Sequence, residues 1–163
     1  MERVMHKALM AALAFAATPA LADEAKITRG AYLARIMDCA GCHMPRDETG
    51  MPVFEAGLSG GTIGFEIPGL GVFWPPNLTP DPSGLGPWTP DEIKTALTTG
   101  VRPDGRVLAP AMPWPGYAGM SDEDLDALVA FLVAMPPVAA DRHEPVQDAA
   151  QATAPFYRVT FPQ

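Results

Sequence analysis

The stretch "MDCAGCHMP", Met37 to Pro45, holds both cysteines of the 163-residue chain and one of its three histidines. Cys39, Cys42 and His43 fall within five positions, and no comparable cluster of sulfur and nitrogen donors occurs elsewhere. Two cysteines can form one structural disulfide. With two residues between them they can also close a small redox ring, as in thioredoxin-like motifs. Neither use needs an imidazole directly after the second thiol. A zinc site needs four ligands, and past residue 22 the chain adds only the distant His143 to these three. "CAGCH" instead matches the attachment motif of c-type haem, with thioether bonds through Cys39 and Cys42 and the imidazole of His43 delivered to the iron.

Upstream of the motif, "MERVMHKALMAALAFAATPALA" combines cationic Arg3, His6 and Lys7, an apolar run from Ala8 to Ala17, and small residues at Ala20 and Ala22. This order reads as a secretory signal peptide cleaved after Ala22, which predicts an exported, periplasmic protein. The apolar run is roughly half of the ~20 residues a membrane-spanning helix needs. Residue 23 is Asp rather than Cys, which argues against a lipid-anchored cysteine at the new N-terminus. The remaining length suits one domain, with 48% apolar residues to build a core. The expected division is a signal peptide over 1–22, a monohaem domain over 23–140 and a C-terminal tail over 141–163. The formal net charge is −8, and removal of 1–22 takes two basic residues and one acidic residue with it. Such a surface repels phosphate backbones, so nucleic acid is excluded as a partner and a basic docking face is favoured.

An iron that only passes electrons needs a second axial ligand, and methionine in that position raises the potential. Met37 and Met44 flank the attachment motif, and Met135 ends a helix whose apolar face is needed for packing. The contest lies between Met112 and Met120, in "LAPAMPWPGYAGMSDEDLDALVAFLVAMPP". Ser121 reads as a helix N-cap with Asp124 as the acid of a capping box, which leaves Met120 as the apolar staple just before the cap. Met112 lies between Pro110 and Pro113, whose rings limit backbone freedom, and is the favoured ligand. Met120 and an open or water-ligated iron remain the alternatives.

The rest of the chain reads as a small helical wrapper with long loops. Ile27 to Met37 forms a helix leading into the motif, with Gly30 allowing close approach of another helix. Thr89 caps a second helix, with Pro90 at its first position, Glu92 three residues after the cap, and Gly100 as its stop. A last helix runs from Asp122 to Met135 and ends before Pro136 and Pro137. Between Thr49 and Trp88 Gly and Pro are frequent and helical period is absent, although "GTIGFEIPGLGVFW" has the composition of a small hairpin. "GLGVFW" lacks the third glycine of a dinucleotide loop, and "DPSGLG" lacks the acidic spacing of a calcium loop.

Taken together, "RGAYLARIMDCAGCHMP" and "PPNLTPDPSGLGPWTPDEIKTALTTGVRPDGRVLAPAMPWPGYAGMSDEDLDALVAFL" resemble the class I c-type cytochromes. More narrowly, they resemble the cytochrome c subunits of periplasmic alcohol and aldehyde dehydrogenases. The resemblance spans about Arg29 to Leu132. It implies an all-α class I cytochrome c fold around a covalent haem, with first and last helices crossing beside the haem edge. In that family the methionine of the "AMPW" loop is the distal ligand, here Met112. Several members carry three haem domains in tandem, whereas this sequence contains a single CxxCH, so one haem c is expected.

Around the haem, Trp114 is expected to lie near the ring, two residues beyond the ligand. Arg102 and Arg106 of "GVRPDGR" are candidates for pairing with the haem propionates, and Asn77 is a candidate donor to one of them. His143 is expected at the surface. Phe156, Tyr157 and Phe161 would be costly to expose together, which favours docking of the tail on the domain or a partner. The implied function is electron transfer, with no general base or nucleophile assigned and substrate oxidation left to another polypeptide. The expected donor is the catalytic subunit of a periplasmic dehydrogenase, and the acceptor a downstream cytochrome, oxidase or quinone-linked component of the respiratory chain. A freely diffusing carrier, or a haem sensor or enzyme with an open iron, are the alternatives.

Overall fold

The structure, a computed structural model, describes residues 19–162. The expected signal segment lies outside the described residues except for its last four, whose backbone is helical. The described residues form five α-helices and a small sheet: α1 (Pro19–Ile36), α2 (Cys39–His43), α3 (Pro90–Thr99), α4 (Trp114–Tyr117) and α5 (Asp122–Ala134), with strands β1 (Gly64–Ile67), β2 (Gly71–Phe73) and β3 (Phe156–Tyr157). The rest is mostly loop, as a class I cytochrome c fold requires.

Helix α1 is already formed at Pro19, upstream of the Ile27 start that the apolar spacing predicts. Strong helix formers such as Ala25 and Lys26 favour the helical state ahead of Ile27. It packs against α5, where Gly30 is required: a Cβ there would lie 2.0 Å from the carbonyl oxygen of Ala127 and 2.6 Å from Phe131 Cβ. Leu33 and Ala34 of α1 join Ile93 of α3 and Leu128, Val129 and Leu132 of α5 in one buried cluster. Removing a leucine side chain such as that of Leu128 from water contributes about 1.5–3 kcal/mol.

The two predicted caps differ in detail. At α3 the capping box is complete: Glu92 N–H donates to Thr89 Oγ1 at 3.3 Å and Thr89 N–H donates to Glu92 Oε2 at 2.7 Å. Gly100 ends this helix at φ 72°. At α5, Ser121 Oγ accepts from Asp124 N–H at 3.2 Å, but the Asp124 carboxylate does not reach back. It pairs instead with Arg29 of α1 at 2.8 Å, so the expected box is one-sided because a cation on the neighbouring helix competes for its acid. Helix α5 stops at Ala134, with Met135 extended at ψ 151° as the residue before a proline must be.

The expected hairpin is present. Strands β1 and β2 are antiparallel, with Phe65 opposite Phe73, and β3 adds in parallel to β1 with Gly64 opposite Phe156. The segment beyond residue 140 lies against the rest of the chain. Val146 and Val72 exchange backbone hydrogen bonds at 2.7 and 3.1 Å, and Pro155 O accepts from Gly64 N–H and from Trp74 Nε1. Docking covers only part of the aromatic tail: Phe156 is half-buried, while Tyr157 and Phe161 stay exposed.

Candidate haem-binding site

Helix α1 ends where Asp38 adopts a left-handed conformation, φ 54°, and the chain turns at once into α2. The Asp38 carboxylate folds back over Gly41, where a Cβ would lie 2.3 Å from Oδ2 and displace that side chain. One helical turn then carries Cys39, Cys42 and His43, and the i, i+3 spacing places both thiols on neighbouring positions of one face. Burial pushes the Cys39 thiol up to about 11, and the Cys42 thiol is raised for the same first reason, so both are neutral at physiological pH.

His43 is buried, 7% exposed, and its Nδ1 lies 2.8 Å from Pro76 O. A carbonyl can only accept, so Nδ1 carries the proton and donates. Burial is the larger influence and lowers the imidazole pKa, keeping the ring neutral. Nε2 is left with a free lone pair, the form that binds a metal. Gly60 N–H donates to His43 O at 2.8 Å, fastening the loop that follows α2.

These three residues line a cavity of about 990 Å³ with mostly apolar walls, at the large end of the usual range for ligand sites. Ile93 and Ala96 of α3 and Leu128 and Leu132 of α5 contribute to the walls, so the cavity is continuous with the core. Met112 lines it too, held in a tight turn by its N–H to Ala109 O and by Trp114 N–H to Met112 O, each at 2.9 Å. Met120 does not line the cavity and packs against the core cluster, the staple role read from the sequence. Among the described residues the only other methionine on the cavity wall is Met37, beside the attachment turn.

Arg102 also faces the cavity, its guanidinium stacked 5.2 Å from the Trp88 ring. Its Nε is buried with no hydrogen-bond partner, and burial lowers its pKa from the ordinary value. Asp104 lies 3.5 Å from this Nε without forming a hydrogen bond, so the donor is open to a second acceptor. The donor set therefore fits haem c: two thiols for thioether attachment, one neutral imidazole and one thioether sulfur for the iron, and a guanidinium for a carboxylate.

Three expectations need correction. Trp114 is not on the cavity wall; its indole packs on Gly100, where a Cβ would meet it at 2.6 Å. The short helix α4 turns Tyr117 into the wall instead, a residue the sequence reading did not single out. Asn77 lines the cavity, but both its amide hydrogens are committed, to Ser83 Oγ at 3.0 Å and Val138 O at 2.8 Å. It fastens the chain rather than offering a donor to a propionate. His143 is not simply at the surface: it lines the cavity and packs on Trp74 with ring centroids 5.7 Å apart.

The family described as cytochrome c oxidase, cbb3-type, subunit III matches residues 25–132. Among curated proteins the chain is 41% identical over 126 residues to the cytochrome c subunit of a quinone alcohol dehydrogenase from Gluconobacter oxydans, covering 76% of this chain and 24% of that one. It is 40% identical over 113 residues to the gluconate 2-dehydrogenase cytochrome c subunit of Pantoea cypripedii, covering 69% and 24%. It is 39% identical over 119 residues to the fructose dehydrogenase cytochrome subunit of Gluconobacter japonicus, covering 71% and 22%. The chain thus spans about a quarter of the length of these relatives.

Proposed function

The chain belongs to this family of cytochrome c domains, which implies covalently bound haem c, and from that premise we propose that it is a periplasmic electron-transfer subunit carrying a single haem. Its electrons come from the catalytic subunit of a dehydrogenase and leave to a cytochrome, oxidase or quinone-linked acceptor of the respiratory chain. The observation that carries the reading is the convergence of Cys39, Cys42, His43 and Met112 on one largely apolar cavity.

When bound, haem supplies the one-electron ferric–ferrous couple. The chain's own residues do the rest. Cys39 and Cys42 would hold the group, and the Pro76 carbonyl keeps His43 in one tautomer and orientation. Met112 would supply a thioether sulfur to the iron, and Arg102 a cation for a carboxylate. The core side chains of α3 and α5 exclude water, so the surroundings reorganise little when charge changes. Substrate oxidation takes place in the partner.

Gentle purification from the native periplasm and membranes, followed by mass spectrometry of what accompanies the chain, tests this reading. A stoichiometric dehydrogenase subunit supports it and identifies the substrate class. Recovery of the chain alone, reduced equally by several donors, favours a freely diffusing carrier.

A further inference from the structure

Beyond α5 and beyond the matched residues 25–132, the segment from Val138 to Val146 crosses the cavity wall as a strap fastened at both ends. At one end Val138 O accepts from Asn77 Nδ2 at 2.8 Å and from Thr79 Oγ1 at 3.2 Å, and Ala140 N–H donates to Ser83 Oγ at 3.2 Å. At the other, Val146 pairs with Val72. Between these anchors Arg142 and His143 line the cavity, and His143 rests on Trp74.

Arg142 thereby shares a cavity with Arg102 and Arg106. Within this group Asp104 serves two cations, Arg106 at 2.8 Å and Arg102 at 3.5 Å, while Arg142 pairs with Glu144 at 3.0 Å. Asp141 also lines the cavity but pairs with none of the three among the described ion pairs. Three guanidiniums therefore share two carboxylates, and Arg102 Nε, 3.5 Å from Asp104 Oδ2, makes no hydrogen bond. Like charges so placed are held together more readily when an anion sits among them.

We propose that the strap is part of the haem site and that Arg142 is a positioning residue there, completing with Arg102 and Arg106 a guanidinium group that receives the carboxylates at the edge of the haem. The inference rests on the electron-transfer reading. Reduction adds one electron from the reduced donor and makes or breaks no bond, so nearby cations favour the reduced state and their loss opposes it.

The test compares the holoprotein with Arg142→Gln, Arg142→Lys and Glu144→Gln variants at low ionic strength, reading midpoint potential and carbon monoxide binding. Arg142→Gln should disfavour reduction by about threefold or more, where tenfold is about 59 mV for a one-electron couple. Glu144→Gln should shift the potential the other way, Arg142→Lys should stay near the parent, and none should gain carbon monoxide binding. A potential unmoved by both Arg142→Gln and Glu144→Gln, with the haem spectrum intact, overturns the proposal. Should Arg142→Gln fail to fold, the Glu144→Gln shift decides alone, because that side chain is exposed. Parent protein without covalent haem would overturn the electron-transfer reading itself, a result distinct from an unmoved potential.

Discussion

The Nδ1 of His43 donates to the carbonyl of Pro76 at 2.8 Å across 33 residues of sequence, and this one bond decides which imidazole nitrogen is available to the cavity. Loss of the ring removes the ligand and leaves Pro76 O without its partner. A His43→Ala chain is therefore expected to accumulate without holoprotein, checked by haem staining of the chain after denaturing electrophoresis against an equal amount of the parent.

Met112 and Met120 are separated by their surroundings, one on the cavity wall and one on the core cluster. Met112→Ala should lower the reduction potential and let the ferrous form bind carbon monoxide. Met120→Leu, a swap of similar volume, should leave both unchanged and cost less than about 1.5 kcal/mol. Spectra of the two ferrous variants under carbon monoxide distinguish these outcomes, and binding by the Met120 variant alone would reverse the assignment.

The attachment turn was legible in the sequence because its donors are consecutive and their chemistry is local. Caps were legible for the same reason, and the Thr89 and Glu92 box is present as read. The Asp124 carboxylate was misassigned because its partner Arg29 lies 95 residues away, and no local rule weighs a cap against a distant cation. Trp114 was misplaced because closeness in sequence to Met112 does not fix which face of α4 meets the cavity, and it is Tyr117, one turn on, that lines it. Asn77 and His143 owe their places to the strap, whose contacts with Asn77 (through Val138) and Trp74 (through His143) span some 60 or more positions and leave no periodic signal.

Close packing of α1 on α5 depends on a missing side chain. Gly30→Ala would set a Cβ 2.0 Å from Ala127 O, so the helices must move apart. We expect a loss of about 1–3 kcal/mol, read as a lower denaturant midpoint with little change in slope.

Acid should destabilise the fold over a defined range. The Arg106 hydrogen bond holds the Asp104 carboxyl down at about 2, and hydrogen bonds also lower Asp47, Asp81, Glu92, Asp124 and Asp126. For a lowered carboxyl the stabilisation is complete above the unfolded value of about 4 and is lost as pH falls through the folded value. Thermal melting temperature should thus be insensitive to these groups near neutrality and fall from about pH 4 towards pH 2. Asp104→Asn should flatten that fall, and added salt should weaken it because these carboxylates are exposed.

The central claim is that haem is joined covalently to the turn carrying Cys39 and Cys42. Intact-mass measurement of the purified chain after acid–acetone extraction, followed by peptide mapping, tests it most directly. The account predicts a mass greater than the polypeptide by one haem that survives extraction, with the added mass on the peptide containing both cysteines. Haem lost to the solvent, or a chain of unmodified mass whose cysteines form a disulfide, would contradict it.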